Sequence, residues 1–169
     1  MKQINKILLL VLIIVLYVGC SIRMTLSGAS IDENLKTFSV QYFNNRAAII
    51  NPLLSQKMTE LLKERIMSES RLTLVNGIGD VDFSGEITGY SIRPMAIKED
   101  AVAAQTRLTI RVKVRYQNRK DPKKNWESGF SAYQDFASER NITEVEAELT
   151  SLIIDQLTED IFNKTFSDW

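Results

Sequence analysis

Four cations, Arg107, Arg111, Lys113 and Arg115, occupy odd positions of a segment whose even positions are Leu108, Ile110, Val112, Val114 and Tyr116. Successive side chains of a strand point to opposite faces, so this alternation predicts one cationic face and one apolar face. A row of guanidinium and ammonium groups suits phosphate, with arginine engaging two oxygens at once. The competing reading is a solvated face neutralised by carboxylates on adjacent strands, such as Glu86. The turn that follows, around Asp121-Pro122, adds Arg119, Lys120, Lys123 and Lys124. These four suit an anionic lipid, or equally a solvated hairpin tip.

Catalysis finds little to work with. The chain has no histidine, which removes the commonest general base and the usual metal ligand. Its single cysteine, Cys20, is needed elsewhere, which leaves no thiol nucleophile and few options for zinc. Paired carboxylates or a Ser-Lys arrangement stay open in principle. No catalytic residue, metal ligand or cofactor is expected.

Cys20 closes a segment with Lys2 and Lys6, an apolar run from Ile7 to Val18, and Gly19. A cationic start, a short apolar core and a small residue before cysteine is the pattern of a bacterial lipoprotein signal. The run of about 12 residues falls short of the roughly 20 that cross a bilayer. Tyr17, three residues before the cysteine, departs from the usual leucine. Cleavage before Cys20 leaves about 150 residues, enough for one domain with one core. It also takes Lys2 and Lys6, so the basic residues fall from 21 to 19 against 21 acidic. A balance near minus two offers nothing to nucleic acid. Ser21-Ile22-Arg23-Met24 lacks the acidic residue that holds such lipoproteins elsewhere, so the expected location is the periplasmic leaflet of the outer membrane.

The elements that position these residues follow from periodicity. Residues 1–19 read as the signal, 20–34 as a lipidated polar tether and 35–169 as a single domain. Leu35 to Phe43 alternates as a first strand, with Phe38, Val40 and Tyr42 on one side. Asn51-Pro52 starts a helix, and Leu54, Met58, Leu61, Leu62 and Ile66 form its apolar face through about Met67. Leu72 to Val75 reads as a short strand. From Val81 to Ile92 a strand puts Val81, Phe83 and Ile87 on the same side as Gly85 and Gly89, with a helix expected over the glycines. Pro94 ends it, and Ile97 to Gln105 reads as a loop. The cationic strand follows, then its hairpin, then a returning strand from Trp126 to Tyr133.

A last helix starts at Asn141 or Thr143, each with a glutamate three residues later. Val145, Leu149, Ile153, Leu157 and Ile161, joined by Leu152 and Ile154, form its buried row. Phe162, Phe166 and Trp169 leave an aromatic tail for a partner groove or for the sheet edge. The order predicts an α+β fold, a two-layer α/β sandwich with two helices on one face of a four- to five-stranded, mostly antiparallel sheet.

This order, together with several segments, resembles the LptE family of lipopolysaccharide-assembly lipoproteins in the form found in Bacteroides-like bacteria. The segments are Gly19-Cys20, the stretch from Thr37 to Ala47, Asn51-Pro52 with Leu54-Ser55-Gln56, Gly85 to Tyr90, Arg107 to Ile110, and Asp160 to Lys164. The resemblance implies a non-enzymatic protein without cofactor that plugs an outer-membrane β-barrel, LptD-like, and helps deliver lipopolysaccharide. It supplies no binding residue position by position. Within it, the cationic strand has lipid A phosphates or the barrel lumen as candidate partners, and Arg119, Lys120, Lys123 and Lys124 have anionic lipid or the barrel wall. An auxiliary lipoprotein of an ABC-type lipid transport system is the alternative.

Overall fold

The structure is a computed structural model, and it describes residues 31–49, 51–95 and 104–167. The predicted signal, Cys20, most of the tether, most of the loop after Pro94, and Trp169 lie outside the described residues.

Two helices cover one face of a six-stranded mixed sheet. The strands are β1 (Thr37–Val40), β2 (Asn44–Asn45), β3 (Thr73–Leu74), β4 (Val81–Pro94), β5 (Gln105–Asn118) and β6 (Trp126–Ala137). The helices are α1 (Pro52–Glu69) and α2 (Ile142–Phe166), and a 3-10 turn at Pro122–Lys124 sits in the β5–β6 hairpin. The spatial order is β3-β1-β4-β5-β6, with β2 also on β4. The two-layer α+β architecture agrees with the sequence reading; the sheet is larger than expected. The long antiparallel set β4-β5-β6 is joined by β1, β2 and β3, which pair in parallel. The chain through α1 supplies the crossover that parallel pairing needs.

Two one-residue irregularities account for the main departures from strict alternation. Val40 pairs with Phe83 and Asn44 with Glu86, so the first segment advances four residues while β4 advances three. The extra residue reverses which side chains face inward. Tyr42, expected inside, is 56% exposed, and Phe43 takes the core position at 0%. The Phe43 N–H donates to Thr59 Oγ1 at 3.1 Å, tying this connection to α1. A second shift falls between Ile87 and Gly89, leaving Thr88 without a partner on β5. Beyond it Tyr90 faces the core and Gly89 faces out, against the expectation that Gly89 shares the side of Val81 and Ile87.

The space over Gly85 is taken by a ring and not by a helix side chain. A Cβ there would stand 2.6 Å from Phe43 Cε1 and 2.5 Å from the Lys113 carbonyl oxygen, so the Phe43 ring occupies that space.

Asn51 caps α1, its Oδ1 accepting from the Leu53 N–H at 3.0 Å. Asn141, not Thr143, caps α2, its Oδ1 accepting from the Thr143 N–H at 3.1 Å. The helices run in the same direction, with contacts from Asn51 to Glu146, Lys57 to Ser151 and Arg65 to Thr158. Val145, Leu149, Ile153, Ile154, Leu157 and Ile161 are buried. Leu152 is not: at 49% exposure it stands on the solvent side with Glu148 and Asp155. Phe162 and Phe166 tuck onto the sheet, Phe166 reaching Phe83 (6.2 Å) and Tyr116 (6.5 Å) between ring centroids. Each such buried ring contributes on the order of 2–3 kcal/mol from area alone. The end of the tether also touches the domain, where Ile31 packs on the core and its carbonyl accepts from Arg71 at 2.8 Å.

Candidate functional site

The sheet face turned away from the helices carries the predicted cations. Their strand, β5, alternates without interruption against β6 over Gln105 to Tyr116. That regularity places Arg107, Arg111, Lys113 and Arg115 on one side, with Leu108, Ile110, Val112 and Val114 buried on the other.

Most of these cations are already matched. Arg107 grips Asp135 through Nε at 2.7 Å and Nη2 at 2.8 Å, and its guanidinium lies 3.6 Å from the Tyr133 ring centroid. The hydrogen bonds to Asp135 raise the Arg107 pKa, and in return Arg107 holds the Asp135 carboxyl below its ordinary value. Glu127 takes Lys113 at 2.6 Å on one oxygen and Arg115 at 2.7 Å on the other. Those two hydrogen bonds, Lys113 first, lower the Glu127 pKa. Glu86, the expected counter-charge, pairs with Arg46 at 2.8 Å. The neutralising carboxylates are therefore Asp135 and Glu127, both on β6, directly across from Arg107 and Arg115.

Arg111 is different. Among the described residues its guanidinium has no ion pair, because its cross-strand neighbours are Gly89 and Ser131. A Cβ on Gly89 would come within 3.5–3.6 Å of the Arg111 side chain, so the missing side chain gives Arg111 a flat bed. Beside it, a cleft of ≈ 230 Å³ is lined by Ser84, Gly85, Glu86, Lys113, Arg115 and Glu127.

Two further cations join this face, Arg46 beside Glu86 and Arg93 opposite Arg107. Strict period two would have placed Arg93 with the core residues of β4; the shift at Thr88 turns it outward. Six cations then stand against Asp82, Glu86, Glu127 and Asp135, leaving the face positive by two charges among the described residues.

The hairpin cations form a separate group at the end of β5 remote from Arg107. Lys120 pairs with Asp80 at 3.2 Å, and Lys124 reaches Asp32 at 3.9 Å. Arg119 donates its backbone N–H to the Asp80 carbonyl, and the Lys123 N–H donates to Asp121 Oδ1. Neither the Arg119 nor the Lys123 side chain has an ion pair among the described residues. Asp80 also accepts from the Lys36 and Thr37 N–H groups, and these bonds, Lys36 first, hold its pKa down to about 2. The cluster secures β1, β4 and the hairpin to one another.

The LptE lipopolysaccharide-assembly model matches residues 35–165. The chain belongs to the LptE family. The matched region begins at the first buried residue, Leu35, and ends in the last turn of α2. Among solved structures, the chain is similar to a minor lipoprotein from Acinetobacter baumannii at TM-score 0.51 and 15% identity, covering 77% of this chain and 91% of that one. A hypothetical protein from Chlamydia trachomatis aligns at TM-score 0.55 and 11% identity, over 79% of this chain and 99% of that one. At such identities the likeness establishes the fold. Curated protein sequences give no match. LptE-family members are non-enzymatic outer-membrane lipoproteins of lipopolysaccharide assembly, acting with an outer-membrane partner.

Proposed function

We propose that this LptE-family chain is anchored through acylated Cys20 in the periplasmic leaflet of the outer membrane. There it plugs and helps assemble the β-barrel of the lipopolysaccharide translocon and assists delivery of lipopolysaccharide to the outer leaflet. A single lipid attachment holds a protein at a membrane only marginally, so the barrel supplies the second interaction. The observation that carries the reading is the positive outer sheet face of a family member, with Arg111 unpaired by any carboxylate among the described residues. Arg111 engages a lipid A phosphate first, and Lys113 and Arg115 join by exchanging Glu127 for phosphate oxygens. Arg107 positions Tyr133 and stays with Asp135. The hairpin residues Arg119, Lys120, Lys123 and Lys124 contact the barrel wall or anionic headgroups.

The test is the double change Arg111→Glu, Arg115→Glu in the full-length lipoprotein. Binding of lipopolysaccharide is expected to fall roughly 10- to 100-fold, the value of one or two charge-assisted hydrogen bonds. Unchanged binding by a folded variant overturns the phosphate assignment. A mild-detergent pull-down from the native envelope tests the partner: near-stoichiometric recovery of a large outer-membrane barrel supports the plug reading. Recovery of an inner-membrane transporter instead would favour an auxiliary role in ABC-type lipid transport.

A further inference from the structure

The sheet ends on an open strand. β6 is the last member of the order β3-β1-β4-β5-β6, and among the described residues nothing pairs with its outer edge. Over its 12 residues, about half of the N–H and C=O groups point away from β5, in a row roughly 40 Å long. Proteins blunt such an edge with proline, lysine, a bulge or shortness. β3, at the other end of the sheet, is only two residues long. β6 has none of these protections: Trp126 to Ala137 contains neither proline nor lysine, and it keeps register with β5 without a shift. Its inner row is also unfinished at the hairpin end. Phe166, in the last turn of α2, sits on Phe83 of β4 and Tyr116 of β5, whereas Trp126 and Phe130 of β6 stay only partly covered. Ala132 and Phe136, further along β6, are buried.

The chain itself supplies a segment that fits. Ile22, Met24 and Leu26 alternate with Ser21, Arg23, Thr25 and Ser27, the period of a strand with one apolar face, and no proline interrupts them. The described chain begins beside the same end of β6. Ile31 packs on the core, and Asp32 reaches Lys124, two residues before Trp126, at 3.9 Å. The five residue steps from Leu26 to Ile31 span up to about 17 Å. A segment that arrives at Ile31 along the edge runs towards the hairpin, while β6 runs away from it, so the two are antiparallel. With Leu26 across from Trp126, Ile22 falls across from Phe130, and the apolar rows coincide. Other occupants fit less well. Two-fold pairing with a second copy about Ser131 sets Glu127 against Asp135, a like-charge pair. The two residues after Ser167 are too few to pair along the strand, and residues 96–103 are held at the Ala137 end, between β4 and β5.

We propose that residues 21–27 add to β6 as an antiparallel edge strand, with Ile22, Met24 and Leu26 extending the inner layer beside Trp126 and Phe130. The added strand satisfies the open edge and uses none of the cationic face, so it goes beyond the lipopolysaccharide assignment. With Cys20 acylated as proposed above, the lipid is fixed beside β6 instead of at the end of a free tether, and the domain meets the bilayer by that edge. This orientation rests on the acylation; the pairing does not.

The test follows amide hydrogen exchange by NMR along Trp126–Ala137, using the full-length lipoprotein in detergent micelles. In a free edge strand only the N–H groups directed at β5 exchange slowly; with the added strand, those directed outward between Trp126 and Phe130 are slow as well. Met24→Pro and Thr25→Pro change consecutive positions, of which one directs its N–H at β6. That variant should speed exchange of the outward amides at least tenfold and the other variant less, while melting curves verify that both domains are folded. Fast exchange of the outward amides in the parent overturns the proposal. So does protection that survives both prolines, which would mean a cover other than residues 21–27. Protection that grows with protein concentration overturns it in favour of a second copy. Intact mass reports acylation separately: an unacylated Cys20 would overturn the anchor reading and leave the exchange result standing.

Discussion

Gly85→Ala isolates the steric decision that sets the inner face of the sheet beneath the ≈ 230 Å³ cleft. An added Cβ would sit 2.5 Å from the Lys113 carbonyl oxygen and 2.6 Å from Phe43 Cε1, where ordinary contact begins at 3.4 Å. Something must open by about 0.8–0.9 Å. Neither neighbour gives easily: the carbonyl belongs to the long β4–β5 ladder, and the Phe43 ring is fully buried. Overpacking of this kind costs about 1–3 kcal/mol, offset by roughly 0.5–1 kcal/mol for removing a glycine from a strand interior. The net loss of about 0–2.5 kcal/mol, centred near 1 kcal/mol, corresponds at its centre to a fall of roughly 3–5 °C in Tm for a domain of this size.

Urea and thermal unfolding followed by circular dichroism would measure it. Phe43→Ala alone should cost about 3–5 kcal/mol. In that background the ring clash is gone, so Gly85→Ala should cost about 1 kcal/mol less than in the parent. If Gly85→Ala is stabilising, or if its cost is the same with and without Phe43, the packing argument fails.

Glu127→Gln should release Lys113 and Arg115 and tighten lipopolysaccharide binding several-fold at low ionic strength, with the gain shrinking as salt rises. A salt series on the purified lipoprotein checks this, and no gain would mean those cations do not meet phosphate. Acid stability should depend on Asp80. Its folded pKa of about 2 lies below the ordinary carboxylate value, so its stabilisation is complete above about pH 4 and is lost as pH falls towards 2. Asp80→Asn should therefore lower stability at pH 7 by about 1–2 kcal/mol and flatten the fall in stability between pH ~4 and ~2. Unfolding midpoints across that range provide the comparison; parallel curves for the two proteins would contradict it.

The elements most legible in the sequence are those whose period is unbroken. β5 pairs with β6 residue for residue, and its alternation alone placed Arg107, Arg111, Lys113 and Arg115 on one face. Both helices were readable because Asn51 and Asn141 carry capping chemistry and the buried rows repeat at three and four. Leu152 stands outside the buried row although it is apolar: it follows Glu148 by four positions, which puts it on the solvent side of α2. The partners of the cations were out of reach for another reason. Which carboxylate meets Arg107 or Arg115 depends on the β5–β6 register, which the hairpin geometry sets and composition does not.

The deeper failure of period two lies in β4, and it shapes both faces of the sheet. One unpaired residue, Thr88, reverses every side chain beyond it. Without that shift Arg93 would point into the core, Tyr90 would point to solvent away from Glu146, and Gly89 would no longer lie under Arg111. The extra residue between Val40 and Asn44 acts in the same way on the neighbouring segment, delivering Phe43 to the space above Gly85. A β-bulge is a discrete device, not a gradual distortion, so its effect on each residue is all or none. Arg111 at the centre of the outer face, without an ion pair among the described residues, and Tyr90, which donates to Glu146 on the helix side, thus follow from the same inserted residue. Deleting Thr88 should disturb both surfaces together.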